Sequence, residues 1–187
     1  METRPRIILL NGVGSVGKSS VARALQDILP EPFLHLEMDV FLDMLPHKLL
    51  GQPEGLLFQA TLDQGRPSVA IRSGPAVLRT MLGMRHAALA MAAQGNNLII
   101  DEVMLGGVQL EQYYRALFAP FGIRLVGLFA PLEVLEARER MRGDREIGLA
   151  RWQYQRVHRG VTYDLEIDTA LVPPSEIAVR VRDAFGL

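Results

Sequence analysis

The sequence predicts an α/β fold: a parallel five-stranded sheet covered by helices on both faces, with an arginine-rich lid over residues 138–150. Short buried apolar runs alternate with segments of helical periodicity, as in sheets whose strands are connected by helices. A glycine-rich loop joins the first strand to the first helix. The chain has 187 residues, enough for one such domain but not for two ordinary ones. We therefore expect residues 1–187 to form a single domain.

The first predicted unit is a strand, a loop and a helix. Residues 7–10 are apolar and partly β-branched, which is typical of a strand buried on both faces. From Lys18 the apolar residues recur at helical spacing until Pro30 stops the pattern. A second strand over residues 33–38 ends just before Asp39.

The later elements continue the alternation after an insertion. Residues 46–75 are rich in Gly and Pro and have weak periodicity, so we expect a mobile insertion over the site. Apolar runs and helix start and stop signals predict the remaining elements. In order these are a helix from Gly74-Pro75 to Gly95, strand 98–102, helix 108–118, strand 123–129, a helix from Pro131, helix 147–158, strand 165–168 and a terminal helix introduced by Pro173-Pro174-Ser175.

Composition narrows the classes of function. Hydrophobic residues make up 49% of the chain and its net charge is −1, so neither disorder nor a nucleic-acid partner is indicated. The absence of cysteine excludes disulfides and thiolate metal sites and is compatible with a reducing cytoplasm, where we expect the protein. The first apolar run is too short for a signal peptide or a membrane span. We expect a small-molecule partner and leave a homo-oligomer open.

The strongest motif is the glycine-rich loop, which fits the pattern G-x-x-x-x-G-K-[ST] between a predicted strand and a predicted helix. Its backbone N–H groups turn toward phosphate oxygens, and the helix N-terminus adds a partial positive charge. This motif makes the expected architecture a three-layer P-loop NTPase fold. We predict that Lys18 holds the β- and γ-phosphates of ATP and that Ser19 ligates Mg²⁺. The predicted nucleotide-binding residues are Gly12, Val13, Gly14, Ser15, Val16, Gly17, Lys18, Ser19 and Ser20.

Two further features concern the nucleotide and the metal. A guanine-specific switch protein would carry an Asn-Lys-x-Asp motif, which this chain lacks, so ATP is favoured over GTP. The strand over residues 98–102 contains Asp101, which resembles the Walker-B carboxylate that reaches the metal directly or through water. Its neighbour Glu102 has three open roles: polarising water in an ATPase, binding substrate, or supporting the structure.

An arginine-rich helix predicts the lid. Arg138, Arg142 and Arg145 are spaced i, i+4, i+7 and therefore share one helical face if the helix continues that far. Guanidinium groups are permanently charged bidentate ligands for phosphoryl oxygens. We predict that Arg138 binds the nucleotide and that Arg142 and Arg145 act in catalysis. The competing interpretation is a solvated charged face with Glu136 and Glu139 as partners.

The acceptor side is marked by Asp39, at the sheet edge where ligands of open α/β folds bind. A carboxylate there would take the proton from an attacking hydroxyl. The alternative is an N-cap for a helix that begins at Val40, and Asp43 one turn further is interpreted as a solvated or supporting residue. Apolar residues nearby offer surface for an aryl-bearing acceptor. They are Phe41, Leu42, Met44, Leu45, Leu56, Leu57 and Phe58, whereas an acidic acceptor would call on Arg66, Arg72 or Arg79.

Taken together, these residues resemble the chloramphenicol phosphotransferase family, ATP-dependent enzymes that phosphorylate the primary hydroxyl of that antibiotic. The phosphate loop alone is shared by many families, but the combination is specific and runs through nearly the whole chain. It comprises residues 7–19, Leu29-Pro30-Glu31-Pro32, Met38-Asp39, Met44-Leu45-Pro46, Gly74-Pro75, Ile99-Ile100-Asp101, Leu105-Gly106-Gly107, Arg142-Gly143-Asp144-Arg145 and residues 158–169.

The resemblance implies an antibiotic or natural-product kinase with Asp39 as catalytic base, Lys18 and Ser19 as nucleotide and metal residues, and the arginine segment as lid. The sequence departs from the family pattern at residues 36–38 and 41–57, which shape the acceptor pocket. A kinase of another metabolite, such as a sugar acid or nucleoside, is therefore the second interpretation. A non-catalytic nucleotide switch is the third interpretation. It ranks last because Asp39 and the arginine lid would have no function in such a protein.

Overall fold

The computed structural model describes residues 4–143 and 146–187. Its central sheet has five parallel strands, which confirms the predicted fold class. The strands are β1 (Ile7–Asn11), β2 (Phe33–Glu37), β5 (Asn97–Glu102), β6 (Arg124–Phe129) and β7 (Leu165–Asp168), in the order β2-β5-β1-β6-β7. A separate antiparallel hairpin consists of β3 (Leu56–Asp63) and β4 (Arg66–Ser73).

Helices cover both faces of this sheet. They are α1 (Lys18–Ile28), α2 (Met38–Asp43), α3 (Pro75–Ala93), α4 (Val108–Leu117), α5 (Leu132–Arg142), α6 (Leu149–Tyr154) and α7 (Pro174–Phe185). Ile8 and Leu10 of β1 pack in one apolar cluster with residues of α1 and α7, whereas Ile7 and Leu9 pack in the other with residues of α3 and α4. Such alternation explains why β1 is apolar throughout. Among the described residues, no helix is both long and apolar enough to cross a membrane.

The strand register brings polar residues together at one edge. In the parallel pairings Asn11 lies opposite Glu102, and Glu37 lies opposite Asp101. All these residues come at or near the carboxyl ends of their strands, where open α/β folds bind ligands. The phosphate loop, which follows β1 directly, therefore lies beside Asp101 and the start of α2.

The region between residues 46 and 75 is more regular than predicted. Apart from a 3₁₀ turn at His47–Leu49, it contains the β3–β4 hairpin over residues 56–73, which the sequence patterns did not predict. The hairpin turns at Gln64 and Gly65, with φ of 50° and 77°. These angles match a two-residue turn that normally carries Asn or Asp first, and the glutamine there hides the signal.

The hairpin is attached to the segment that was predicted to be the lid. The backbone N–H of Val69 in β4 donates to the carbonyl of Gly148, 3.0 Å away, just before α6. Arg151 of α6 forms an ion pair with Glu136 of α5 and lies 3.7 Å from Asp63 of β3. Helix α6 is also shorter than the predicted helix over residues 147–158. The chain therefore joins the hairpin, α5 and α6 into one packed unit.

Candidate active site

The loop between β1 and α1 adopts a conformation that only glycine accommodates at two positions. Gly17 has φ of 101° and immediately precedes α1. A Cβ atom at Gly12 would lie 2.7 Å from the Leu128 carbonyl oxygen, which is closer than real Cβ atoms approach backbone. No described side chain caps the N-terminus of α1, so its first N–H groups remain directed at the cavity beside the loop.

Lys18 and Ser19 lie against Asp101, as a phosphate loop facing an acidic strand end requires. The Lys18 ammonium is buried, 3.1 Å from the Gly12 carbonyl oxygen and 3.8 Å from Asp101 Oδ1. The Ser19 hydroxyl donates to Asp101 Oδ2 over 2.6 Å. Burial alone would raise the pKa of Asp101, but the Lys18 charge, the nearby His35 ring and the Ser19 hydrogen bond lower it. Asp101 is therefore an anionic carboxylate beside the serine hydroxyl.

Two residues of β2 complete this polar edge. The His35 ring lies between Glu37 and Asp101, with Nδ1 3.3 Å from Glu37 Oε1 and Nε2 3.6 Å from Asp101 Oδ2. Their ligand atoms lie within 4.8 Å of one another, close enough to hold one metal ion. The carboxylate and hydroxyl oxygens at this edge suit Mg²⁺. Sequence patterns did not identify His35, because its neighbour across the sheet is distant in the chain.

A cavity beside the loop brings most of the predicted site residues together. Its wall contains Gly14, Ser15, Gly17, Lys18, Ser19, Ser20, Asp39, Asp101 and Arg142, together with Glu37. The side chains of Val13 and Val16 are buried in the core instead, so these two residues can offer a ligand only their backbone. Gly12 contributes the carbonyl that receives the Lys18 ammonium.

A second cavity, of about 430 Å³, continues from the loop along the start of α7. Arg138 lies in its wall and donates to Thr169, to the hydroxyl over 3.0 Å and to the carbonyl over 2.7 Å. The Thr169 hydroxyl in turn donates to the Val16 carbonyl over 3.0 Å. Arg138 thus fixes the segment after β7 to the phosphate loop. Thr169 is a link that the sequence patterns did not reveal.

Two glutamates of α5 have described partners in and just before α6. The buried Glu139 carboxylate accepts hydrogen bonds from the backbone N–H groups of Gly148 and Ala150, at 2.8 and 2.7 Å. Glu136 forms an ion pair with Arg151. The described contacts of both glutamates are thus with α6 and the residue before it, and the solvated face stays the alternative interpretation of the lid arginines. Arg142 lies at the end of α5 in the wall of the phosphate cavity.

Arg145 lies outside the residues that the structure describes. The prediction that it shares a helical face with Arg138 and Arg142 therefore stays a prediction. Helix α5 ends at Arg142, followed by Gly143 with φ of 70°. The regular i, i+4 spacing on this helix thus ends at Arg142.

Asp39 lies in the first turn of α2, not at its N-cap. Helix α2 begins at Met38 and its N-cap position is Glu37, so the alternative role of Asp39 as cap of a helix from Val40 is wrong. The error arises because strand β2 ends one residue earlier than predicted. Asp39 is half-buried and lines the phosphate cavity and a third, neighbouring cavity. Asp43 is exposed and does not line either of these two cavities.

The third cavity, which we call the acceptor cavity, has a volume of about 240 Å³. It lies between α2, α3, α4, α6, the carboxyl end of β5 and the β3–β4 hairpin. Of the apolar residues predicted to line such a pocket, Leu42, Leu56 and Phe58 do so. None of the three arginines considered for an acidic acceptor lines it, but Arg85 does. Arg85 follows Met81 by four residues and therefore shares the apolar face of α3. An arginine on that face is the feature of the sequence that could have identified it as a site residue.

The structure shows the partners of Glu102, whose role the sequence left open. It is 1% exposed, accepts a hydrogen bond from the Tyr114 hydroxyl and forms an ion pair with Arg85. Burial raises the pKa of Tyr114 well above its usual value, so this hydroxyl keeps its proton and donates. With both oxygens of Glu102 engaged, the geometry does not favour its role as a base that polarises water.

Gln153 connects the acceptor cavity with the phosphate loop. Its side-chain carbonyl accepts a hydrogen bond from the Gly14 backbone N–H over 2.7 Å. The residue is almost fully buried, and with Leu149 one turn earlier it forms the α6 wall of the acceptor cavity. A single glutamine in a helix of six residues carries no sequence signal of this contact.

His158 packs against Phe129 and Tyr163 and does not line any of the three cavities described above. Its ring stacks on Phe129 with centroids 4.0 Å apart, and its Nδ1 lies 2.7 Å from the Tyr163 hydroxyl. That hydroxyl accepts a hydrogen bond from Asn11. Burial and the Lys18 charge lower the pKa of His158 to about 4, so the ring is neutral near pH 7. These contacts favour a structural role for His158.

Comparison with known proteins adds the family. A family model described as chloramphenicol phosphotransferase-like protein matches residues 5–186. A protein of Mycobacterium tuberculosis that carries the provisional name O-phosphotransferase in two strains is 30% identical over 185 residues. The match covers 96% of this chain and 82% of the length of that relative.

Solved kinases and a resistance protein share the fold. A sugar kinase from Janibacter sp. HTCC2649 is 19% identical with a TM-score of 0.64, covering 97% of this chain and 95% of its own. The tunicamycin resistance protein of Deinococcus radiodurans is 20% identical with a TM-score of 0.64, covering 98% and 97%. A gluconokinase from Sinorhizobium meliloti 1021 is 18% identical with a TM-score of 0.63, covering 98% and 93%. At these identities the likeness concerns the fold alone.

Proposed function

Because the chain belongs to the chloramphenicol phosphotransferase-like family and is a kinase, we propose that it transfers the γ-phosphoryl group of ATP to a hydroxyl of chloramphenicol or a similar small molecule. With an amphenicol as acceptor, the product would be an inactivated antibiotic. The reaction would join the acceptor oxygen to phosphorus, break the bond between phosphorus and the β–γ bridging oxygen, and release ADP and a proton.

The observation that carries this proposal is the position of Asp39. Its side chain lines both the phosphate cavity and the acceptor cavity, so one carboxylate borders both proposed reactants. A general base must lie within reach of the proton that it removes, and a phosphoryl acceptor must lie in line with the transferred group. We assign Asp39 as the base that takes the hydroxyl proton.

The donor side is assigned to the loop and its acidic partner. Lys18 would neutralise charge on the β- and γ-phosphates, and the N–H groups at the start of α1 would bind their oxygens. Ser19 and Asp101 fit Mg²⁺, since they present a hydroxyl and an anionic carboxylate 2.6 Å apart. When bound there, Mg²⁺ would supply charge neutralisation for the phosphates. The cavity beside Arg138 and Thr169 is proposed to hold the adenosine moiety of ATP.

Arg142 is assigned to the transferring phosphoryl group. It ends α5 and lines both the phosphate cavity and the cavity proposed for adenosine. Guanidinium donors aimed at developing charge lower the barrier when water is excluded. The neighbouring Arg145 is proposed for the same task on the basis of the sequence pattern alone.

A different acceptor is the second candidate. Among its described lining residues the acceptor cavity includes one cation, Arg85, and two neutral polar side chains, Ser73 and Gln153, so a hydroxyl-bearing metabolite other than an amphenicol also fits the reaction. The family membership concerns reaction class more closely than substrate, because one fold hosts many substrates.

The test is an ADP-release assay with Mg²⁺ and ATP over amphenicols, sugars, sugar acids and nucleosides. We expect ADP release that depends on an acceptor and is fastest with an amphenicol. Release with only a sugar acid or nucleoside would leave the kinase reaction standing and replace the substrate. Lack of acceptor-dependent release across the whole panel would contradict the proposal.

A further inference from the structure

The wall of the acceptor cavity formed by α3 and β5 contains a buried polar cluster. We propose that Arg85 determines which acceptor is used, by binding an uncharged hydrogen-bond-accepting group such as a carbonyl or nitro group. This inference rests on the proposed function, because it takes the cavity beside Asp39 as the acceptor site. Arg85 does not line the phosphate cavity, whereas Asp39 does. The bound group is therefore placed away from the reacting hydroxyl.

The orientation of Arg85 is fixed from two sides. Its side chain is only 15% exposed, and its Nη2 forms an ion pair with Glu102, which also accepts from the Tyr114 hydroxyl. The guanidinium lies over two aromatic rings, with centroid distances of 5.9 Å to Tyr113 and 5.6 Å to Tyr114. A guanidinium held this way presents a rigid donor fork and loses little freedom on binding a ligand.

The guanidinium retains donor capacity inside the wall. Its Nε is buried and has no hydrogen-bond partner among the described residues. An unsatisfied buried donor is costly for the folded protein, and such groups call for an explanation in terms of function. Glu102 accepts a hydrogen bond from Nη2, and the Tyr114 hydroxyl also contacts the guanidinium, which has five N–H donors in total. A ligand acceptor at this wall would engage a group that is already oriented and already desolvated.

The charges in the cavity favour an uncharged ligand group. Its ionisable lining residues in the described part of the chain are Asp39, Glu102 and Arg85. Since Glu102 neutralises the charge of Arg85, the pair offers a ligand hydrogen bonds without a net positive charge that would attract a carboxylate. The rest of the wall is mainly apolar, with Leu42, Val77 and Met81 among its residues. The favoured ligand is thus an alcohol with an apolar body and a neutral acceptor group.

Three phenylpropanols test this inference: one with a para-acetyl group, one with a para-carboxylate and one without a substituent. Their affinity is measured by calorimetry in the presence of Mg²⁺ and a non-hydrolysable ATP analogue, and their kcat/KM by ADP release. The variant combines Arg85→Met with Glu102→Gln, so that no carboxylate is left buried without its partner. The control is Arg79→Met, an exposed arginine on the same helix.

The wild type is expected to prefer the acetyl compound over the other two by about tenfold or more, the effect of one good hydrogen bond. The double variant should bring the acetyl and unsubstituted compounds to within about twofold, with unchanged affinity for the ATP analogue, while the control keeps the preference. If the double variant keeps the preference, or if wild type binds all three equally or none, the inference is overturned. If selective binding depends on Arg85 but neither these compounds nor any acceptor of the wider panel is phosphorylated, Arg85 still selects the ligand of this cavity and the proposed function fails.

Discussion

The two cavities that meet at Asp39 are built in opposite ways. The phosphate cavity comes mainly from one continuous strand–loop–helix unit, residues 7–28, and from the adjacent strand end at Asp101. The acceptor cavity is assembled from elements that are distant in the chain, namely α2, α3, α4, α6, the end of β5 and the β3–β4 hairpin. Local geometry thus fixes the donor site, whereas distant packing fixes the acceptor site. Chemistry can therefore be retained while the acceptor changes.

The largest effect is expected on the donor side, from Lys18→Ala. The ammonium is the charge nearest the proposed β- and γ-phosphate positions, and its loss should abolish measurable binding of ATP with Mg²⁺. Calorimetry with a non-hydrolysable analogue measures this affinity. Lys48→Ala, which removes the other, exposed lysine, is the control. Unchanged affinity in Lys18→Ala would refute the phosphate-loop assignment.

Asp39→Asn should separate the two cavities by function. The amide keeps the size of the side chain but cannot take the proton, so kcat should fall by about 10²–10⁴ while ATP affinity stays nearly intact. Because Asp39 is not the cap of α2, the melting temperature should change little. The comparison is Asp43→Asn, on the same helix but exposed. Wild-type turnover in Asp39→Asn would mean that the base lies elsewhere.

Arg142→Ala should affect the transition state more than ATP binding. If Arg142 acts on the transferring group, kcat should fall by about 10², as when one preorganised donor is removed, with a much smaller rise in the KM for ATP. Steady-state kinetics at saturating acceptor measure both. Arg140→Ala on the same helix serves as control. A change confined to the KM for ATP would make Arg142 a ground-state ligand instead.

Glu139→Gln should weaken the unit that carries the α6 wall of the acceptor cavity. Its carboxylate accepts hydrogen bonds from two N–H groups at the start of α6, and a neutral amide replaces them poorly. We expect a loss of about 1–3 kcal/mol in the free energy of unfolding and a raised KM for the acceptor. Denaturant melts and kinetics check this, with the exposed Glu133→Gln as reference. Equal stability of the two variants would contradict the role of Glu139.

His158→Asn should give the smallest effect, in the pH dependence of stability. The folded-state pKa of His158, about 4, lies below its usual 6.5, so protonation favours the unfolded chain. Its contribution is therefore present above pH 6.5 and lost as pH falls toward 4. The variant should melt lower near pH 7 but lose less stability between these pH values. If the melting temperature of the variant falls with pH as steeply as that of the wild type, this prediction is contradicted. The control is His47→Gln.

The difference between the cavities also explains what sequence could predict. Lys18, Ser19 and Asp101 follow from local patterns, because loop, strand end and helix start are adjacent in the chain or in the parallel register. The sequence did not identify Arg85 and Gln153 as site residues. Each extends from a helix, α3 or α6, whose sequence pattern packing in the fold already explains. The hairpin was missed because Gln64 occupies its turn. Fold class followed from alternation, which needs no long-range contact.

The most direct test of the account is to follow wild-type protein with ATP and Mg²⁺ by phosphorus NMR, with and without chloramphenicol. The account predicts ADP and a phosphate monoester of the acceptor in equal amounts, and almost no turnover when the acceptor is absent. If another alcohol replaces chloramphenicol in this role, the two-cavity mechanism stands with a different substrate. Release of inorganic phosphate at the same rate with and without any acceptor would contradict it, because water and not an alcohol would then receive the phosphoryl group.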